Sequence, residues 1–154
     1  MRIICKRDRY RYIRLSLRFI NRHFGIDHNT NFCIDTGAPS SLVTYEQAVE
    51  WSIPLNQLAP APTQRVGGAE GPAYYMENSI MLFRDAKGKL NAVDVPKIIV
   101  LDQAFKTKPR DFPIPPLLGD DILSRFSLIV RGDRHGGEIT LTDEDFNIVF
   151  PTIH

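Results

Sequence analysis

Ile13, Leu15, Leu17 and Phe19 alternate with Arg14, Ser16 and Arg18, so one side of this stretch is apolar and the other is polar or charged. Side chains separate onto two faces with period two only when the backbone is extended, so the segment is a half-buried β-strand. A strand with one dry face needs a sheet to pair with and a core to cover it. Short apolar runs recur along the chain at Phe32-Cys33-Ile34, from Tyr74 towards Phe83, from Val95 to Leu101, and at Leu117-Leu118. Residues 127–131 and 138–142 form a final hairpin around a turn at 132–137, and 148–150 is a further strand. Thr44 followed by Gln47 spells a capping box, which predicts a short helix to about Trp51, and a second short helix is expected after Gly119. The fold class expected is mainly β with one or two short helices.

The connections are read from their turn chemistry. Residues 21–31 are expected as a polar turn, and 54–62, with Pro54, Pro60 and Pro62, as an irregular connection. Pro96 puts an edge or a bulge into its strand, and residues 109–116 form a second proline-rich connection. Val66-Gly67-Gly68-Ala69-Glu70-Gly71-Pro72 is rich in glycine and lies between strand-like residues, which predicts a long hairpin with a mobile tip. The plainer reading is an ordinary hairpin whose glycines accept positive φ.

A chain of 154 residues with 43% hydrophobic residues supports one core, so a single domain is expected over 13–154, preceded by a basic arm at 1–12. Residues 1–14 hold Arg2, Lys6, Arg7, Arg9, Arg11 and Arg14 against Asp8 alone, although the whole chain carries a formal charge of only +1. That balance gives no global case for nucleic acid or an anionic membrane as partner, and the interleaved tyrosines of the arm lack an accompanying binding fold. Cys5 and Cys33 are too few for a disulfide framework and show no CxxC spacing, which favours a reducing compartment. No stretch approaches the ~20 apolar residues of a membrane helix. A soluble, cytoplasmic protein is expected. His23, His28, His135 and His154 are too dispersed for a zinc site, and Asp120 and Asp121 are read as helix-start acids, so neither metal nor cofactor is expected.

Asp35-Thr36-Gly37 follows the run Phe32 to Ile34 and continues as Ala38-Pro39-Ser40-Ser41-Leu42-Val43. By itself the tripeptide is compatible with a turn aspartate that caps a loop. In this context it resembles the active-site loop of the retropepsin family of aspartic proteases. Leu117-Leu118-Gly119 with the short helix after it resembles the element that packs beneath that loop, and Val66 to Pro72 falls where the family carries its flap. The resemblance covers roughly residues 13–142 and implies a closed β-barrel lobe of the acid-protease type that acts as a homodimer.

The resemblance also implies roles. Asp35 would be the catalytic carboxylate, and Thr36 would bond the opposing chain. Gly37 would permit close backbone approach, with Ala38 and Ser41 as further supports of the loop. Val66, Gly67, Gly68, Ala69 and Gly71 would form the flap over a peptide or protein substrate, and Leu117, Leu118 and Gly119 the support beneath the site. The chemistry agrees. Hydrolysis without a metal or covalent nucleophile needs one group to deprotonate water and another to polarise the carbonyl, and two carboxylates about 3 Å apart, sharing one proton, can do both. One Asp-Thr-Gly per chain then requires a second copy. Pepsin-like enzymes carry a hydroxyl residue where Ala38 stands, and its absence predicts activity at milder acidity than theirs. Pro39 departs from the acidic or polar residue common in viral members, so their substrate contacts do not transfer. Two function classes follow: a homodimeric aspartic endopeptidase, or a catalytically weak dimerisation or peptide-binding module of the same fold.

Overall fold

The structure, a computed structural model, describes residues 2–10, 12–130 and 139–142. The turn expected at 132–137, the strand expected at 148–150, His135 and His154 lie outside them. The described chain is mainly β. Its strands are β1 (Arg2–Arg7), β2 (Ile13–Asn21), β3 (Ile26–Ile34), β4 (Leu42–Val43), β5 (Ala59–Val66), β6 (Ala69–Arg84), β7 (Leu90–Leu101), β8 (Leu117–Leu118), β9 (Ser127–Val130) and β10 (Ile139–Thr142), with helices α1 (Tyr45–Glu50) and α2 (Asp120–Leu123).

Strand neighbours run β6-β7-β4-β8-β3-β2, and β2 pairs back onto β6 through Arg18↔Leu82, Phe19↔Met81 and Ile20↔Ile80. Six strands therefore close into a barrel. Closure turns the alternating faces of these strands inward. The interior is filled by Phe19, Phe32, Met76, Met81, Phe83, Ile98 and Leu118, all buried, with the Trp51 ring stacked 5.2 Å from that of Phe19. Each fully buried large side chain stabilises the fold by roughly 2–3 kcal/mol relative to exposure. The seam between β2 and β6 is sealed by the buried Asn21, whose Nδ2 donates to the Glu77 carbonyl at 2.8 Å and to Ser79 Oγ at 2.9 Å.

Two pieces extend from the barrel. The start of β6 runs beyond its ladder with β7 and pairs with β5, and β1, β10 and β9 continue the sheet from β2. The basic segment at the start of the chain thus supplies a strand, with Ile3 and Cys5 buried in the core.

Three connections differ from expectation. Residues 21–31 hold a turn only at 22–25; from Ile26 the chain is strand β3. Its polar residues still alternate, with Asp27, Asn29 and Asn31 exposed, and the full β2 ladder pairs with them. Polar composition hid a period-two pattern. Pro60 and Pro62 lie within β5 and not in an irregular loop, because β5 is an edge strand whose unpaired side does not need their missing N–H. At Pro96 the β6–β7 ladder keeps one register, so there is no bulge, but the one missing pair is that of Pro96 with Asn78, which takes φ 58°. The capping box is as expected, with Thr44 Oγ1 accepting from the Gln47 N–H at 3.2 Å and Gln47 Oε1 accepting from the Thr44 N–H at 3.3 Å.

Candidate functional site

Strand β3 ends at Ile34, and Asp35 stands half-buried at the head of the loop that follows. Strand β8 fixes the strand end. It lies parallel to β3 with Cys33 opposite Leu117 and Ile34 opposite Leu118, and the Asp35 N–H donates to the Leu118 carbonyl at 3.1 Å. The other edge of β8 meets β4, where Leu42 lies opposite Leu117, so two extended segments on either side of the Asp35 loop are held by one short strand between them. Leu117 and Leu118 therefore do lie beside Asp35, as their spacing after Gly-rich and proline-rich segments alone did not reveal.

The loop is also bonded internally. Asp35 Oδ1 accepts from the Gly37 N–H at 3.0 Å, and the Asp35 carbonyl accepts from the Ala38 N–H at 3.2 Å. A Cβ on Gly37 would lie 3.3 Å from Asp35 Oδ1, crowding the carboxylate. Thr36 and Gly37 are exposed, and the Thr36 hydroxyl has no bonding partner among the described residues.

Beneath the loop the start of α2 provides the support. The Ala38 carbonyl accepts from the Asp120 N–H at 2.8 Å, and the Pro39 carbonyl from the Asp121 N–H at 3.3 Å. A Cβ on Gly119 would fall 2.6–2.7 Å from Ser40 C, Ala38 O and Ser40 O, so only glycine lets the two backbones touch. Ser41, fully buried, ties the layers together: its N–H and Oγ donate to Asp121 Oδ1 at 2.9 and 2.7 Å, while Oγ accepts from the Gly119 N–H at 2.9 Å. Asp121, an acid in the first turn of α2 as read from the sequence, is also the anchor of Ser41. Two residues eighty positions apart give no local signal of such a bond.

The glycine-rich segment is the tip of the β5–β6 hairpin. Val66 pairs with Ala69 across Gly67 and Gly68, whose φ values of 57° and 80° are those of a tight two-residue turn. Gly71 has a different reason to be glycine: a Cβ there would lie 2.7 Å from Ala104 Cβ. Val66 and Ala69 pack on a small apolar cluster that includes Leu42 and Leu117, the residues flanking the Asp35 loop. The base of the hairpin tip thus packs against the same apolar cluster as Leu42 and Leu117.

A buried thiol, Cys33, borders this site, and a second, Cys5, lies in the core. Burial chiefly, with some help from the Asp35 charge and against the opposing effect of Arg14, raises the Cys33 thiol above its ordinary range, and burial pushes Cys5 up to about 12. Among the described residues no group of three or more His, Cys, Asp or Glu side chains is arranged to hold a metal ion, and no helix is long and apolar enough to cross a membrane.

Among solved structures, the chain is similar to the crystal structure of a retropepsin-like aspartic protease from Rickettsia conorii, with a TM-score of 0.55 over 92% of this chain and 90% of that one. The two are 20% identical in sequence, so the likeness shows the fold, a mainly β lobe of the retropepsin type. No protein-family model matches the sequence, and no curated protein matches it either.

Proposed function

We propose that the chain is one subunit of a homodimeric aspartic endopeptidase, in which a water held between two Asp35 carboxylates, one from each copy, attacks a peptide carbonyl. The observation that carries this reading is the fixation of a half-buried Asp35 by three layers of backbone, from β3 through β8 to the start of α2. Such preorganisation suits a group that must hold its position while protons move.

The chemistry balances without any further group. Two carboxylates brought together cannot both ionise, so the pair holds one proton. The ionised member takes a proton from water as its oxygen bonds to the carbonyl carbon, and the protonated member donates to the carbonyl oxygen. Collapse of the tetrahedral intermediate breaks the C–N bond: the proton taken from water passes to the leaving nitrogen, and a hydroxyl of the intermediate returns its proton to the other carboxylate as the carbonyl re-forms, so the pair again holds one proton. Thr36, exposed and without a partner within the described chain, is available to bond the second copy. Gly67 and Gly68 give the hairpin tip the freedom to open for a peptide and close over it.

The test is cleavage of a diverse peptide mixture by the wild type and by Asp35→Asn, from acid to neutral pH. The wild type should cut with a bell-shaped pH profile whose limbs belong to the pair, and the variant should not cut. Equal cleavage by both would remove Asp35 from the reaction.

A further inference from the structure

The outer face of the barrel carries a groove where strands β2 and β6 part. Leu15, Leu17 and Phe19 of β2 point into the core, so Ser16 and Arg18 between them point outward, and both are exposed. Ladder pairing places Asn31 of β3 beside Ser16 and Leu82 of β6 beside Arg18. The β2–β6 ladder stops at Arg18, while Arg84 and Leu90 continue the β6–β7 ladder beyond it. The opening left between Ser16 and Arg84 has a volume of about 600 Å³. Asn31 lies four residues before Asp35 in the chain. At the rise of an extended strand that is about 13 Å, so the groove is apart from Asp35 but within reach of a substrate that also meets it.

The walls of the groove are held in place. Ser16 Oγ donates to Asn31 Oδ1 at 2.5 Å, and Arg18 donates through Nε and Nη2 to the two Asp27 oxygens at 2.6 Å each. Arg84 Nη1 donates to the Gly88 carbonyl at 2.7 Å. That bond fixes the guanidinium without neutralising it, because a carbonyl carries no net charge. The turn at 85–89 is bonded internally as well: Asp85 Oδ1 accepts from the N–H groups of Lys87 and Lys89 at 2.9 Å each. Both lysines are exposed, and they stand at the rim near Leu90, which is 51% exposed. Arg18, Arg84, Lys87 and Lys89 face Asp27 and Asp85 alone on these segments, an excess of two positive charges in a chain whose total is +1.

We propose that this groove is a docking site, apart from the cleft, for an acidic segment of a protein substrate: Asp or Glu side chains meet Arg84 and Lys89, and an aliphatic side chain between them packs on Leu82 and Leu90. The assignment rests on the protease reading above and names its substrate class, proteins that carry an acidic, aliphatic-containing stretch some distance along the chain from the cut. The Nε–Nη2 edge of Arg84, turned away from the Gly88 bond, can grip a carboxylate with two parallel donors, as the same edge of Arg18 grips Asp27. The exposed amides of Asn29 and Asn31 offer bonds to the main chain of the segment. Among the described residues no aromatic ring lines the groove, so the stacking that nucleic-acid bases need is missing.

Two peptides that share one cleavable core test this, the first extended through a glycine-serine spacer by Asp-Glu-Leu-Asp and the second by Lys-Lys-Leu-Lys. The acidic extension should lower KM about tenfold with kcat unchanged, and the basic extension should give no gain. Arg84→Glu should abolish the gain while kcat/KM on the unextended core stays at the wild-type value, and Leu90→Ser should reduce the gain about threefold. An acidic extension without effect, or a gain that survives Arg84→Glu, would overturn the groove and leave the protease reading standing. Binding of labelled peptides to Asp35→Asn separates the two in the other direction. If the wild type cuts nothing, yet the Asp-Glu-Leu-Asp peptide binds Asp35→Asn and Arg84→Glu in the same background removes the binding, the groove stands and the protease reading falls. No binding of the acidic peptide, equal binding of the acidic and lysine peptides, or preference for a single-stranded oligonucleotide over the acidic peptide overturns the groove.

Discussion

The Asp35 loop and the β5–β6 hairpin border one apolar cluster but are built in opposite ways. Backbone groups of the loop are bonded to β8, to α2 and to the buried Ser41, and a single added methyl at Gly119 has no room. The hairpin pairs on one side only, carries Pro60 and Pro62 on its outer strand, shifts register between Ala61 and Gln64, and turns through two glycines at positive φ. On the protease reading proposed above, a rigidly supported carboxylate and a hairpin with a glycine tip would suit bond-breaking on an extended chain, since the reacting group must stay fixed while the substrate enters.

That contrast predicts where substitutions hurt. Gly119→Ala should be the most damaging, because the backbone at Ser40 and Ala38 would have to move from contacts of 2.6–2.7 Å. A loss of about 3 kcal/mol or more in denaturant unfolding is expected. Asp121→Ala leaves the Ser41 N–H and hydroxyl without their acceptor, which should cost about 2 kcal/mol. Full stability in either variant would show that the loop is less tightly supported than described.

Alkali probes the packing of the buried thiols. Cys33 and Cys5 have raised pKa values in the folded protein, mainly through burial, so above the ordinary thiol value of 9.0 the unfolded chain ionises first and stability falls as pH rises, for Cys5 up to about 12. Moving from pH 8 to about pH 10 should cost roughly 1 kcal/mol for Cys5, and Cys5→Ala should show a shallower loss. A pH-independent stability over that range would mean that the thiol is open to water. The smallest effect on stability belongs to Gly68→Val, where φ is 80° but nothing lies within 4 Å of an added Cβ. Strain at the exposed tip should lower global stability by less than about 1 kcal/mol while reducing turnover of a good peptide. Unchanged kinetics would remove the hairpin from substrate handling.

The parts legible in the sequence are those with local signals. Alternation from Ile13 to Phe19, the Thr44 and Gln47 capping box and the Gly67-Gly68 turn each depend on residues close together in the chain, and each appears where expected. Strand β3 was obscured because its exposed positions are Asp27, Asn29 and Asn31, whose turn-forming chemistry outweighs their alternation when read in isolation. The anchor of Ser41 on Asp121 and the contact of Tyr10 with Phe112 join distant segments, and no local pattern encodes them. Gly71 carries a related lesson: its neighbours suggest turn freedom, whereas the fold uses its missing side chain to let Ala104 approach.

A mixed-subunit experiment tests the central claim most directly. Equal amounts of wild type and Asp35→Asn are unfolded together, refolded and allowed to pair at random, and the activity is compared with that of the same wild-type protein refolded alone. If each site needs an Asp35 from both copies, only about a quarter of the dimers are active, and activity per wild-type subunit falls to roughly half. Undiminished activity per wild-type subunit would contradict the account, because each chain would then be cutting peptides with its own Asp35 alone.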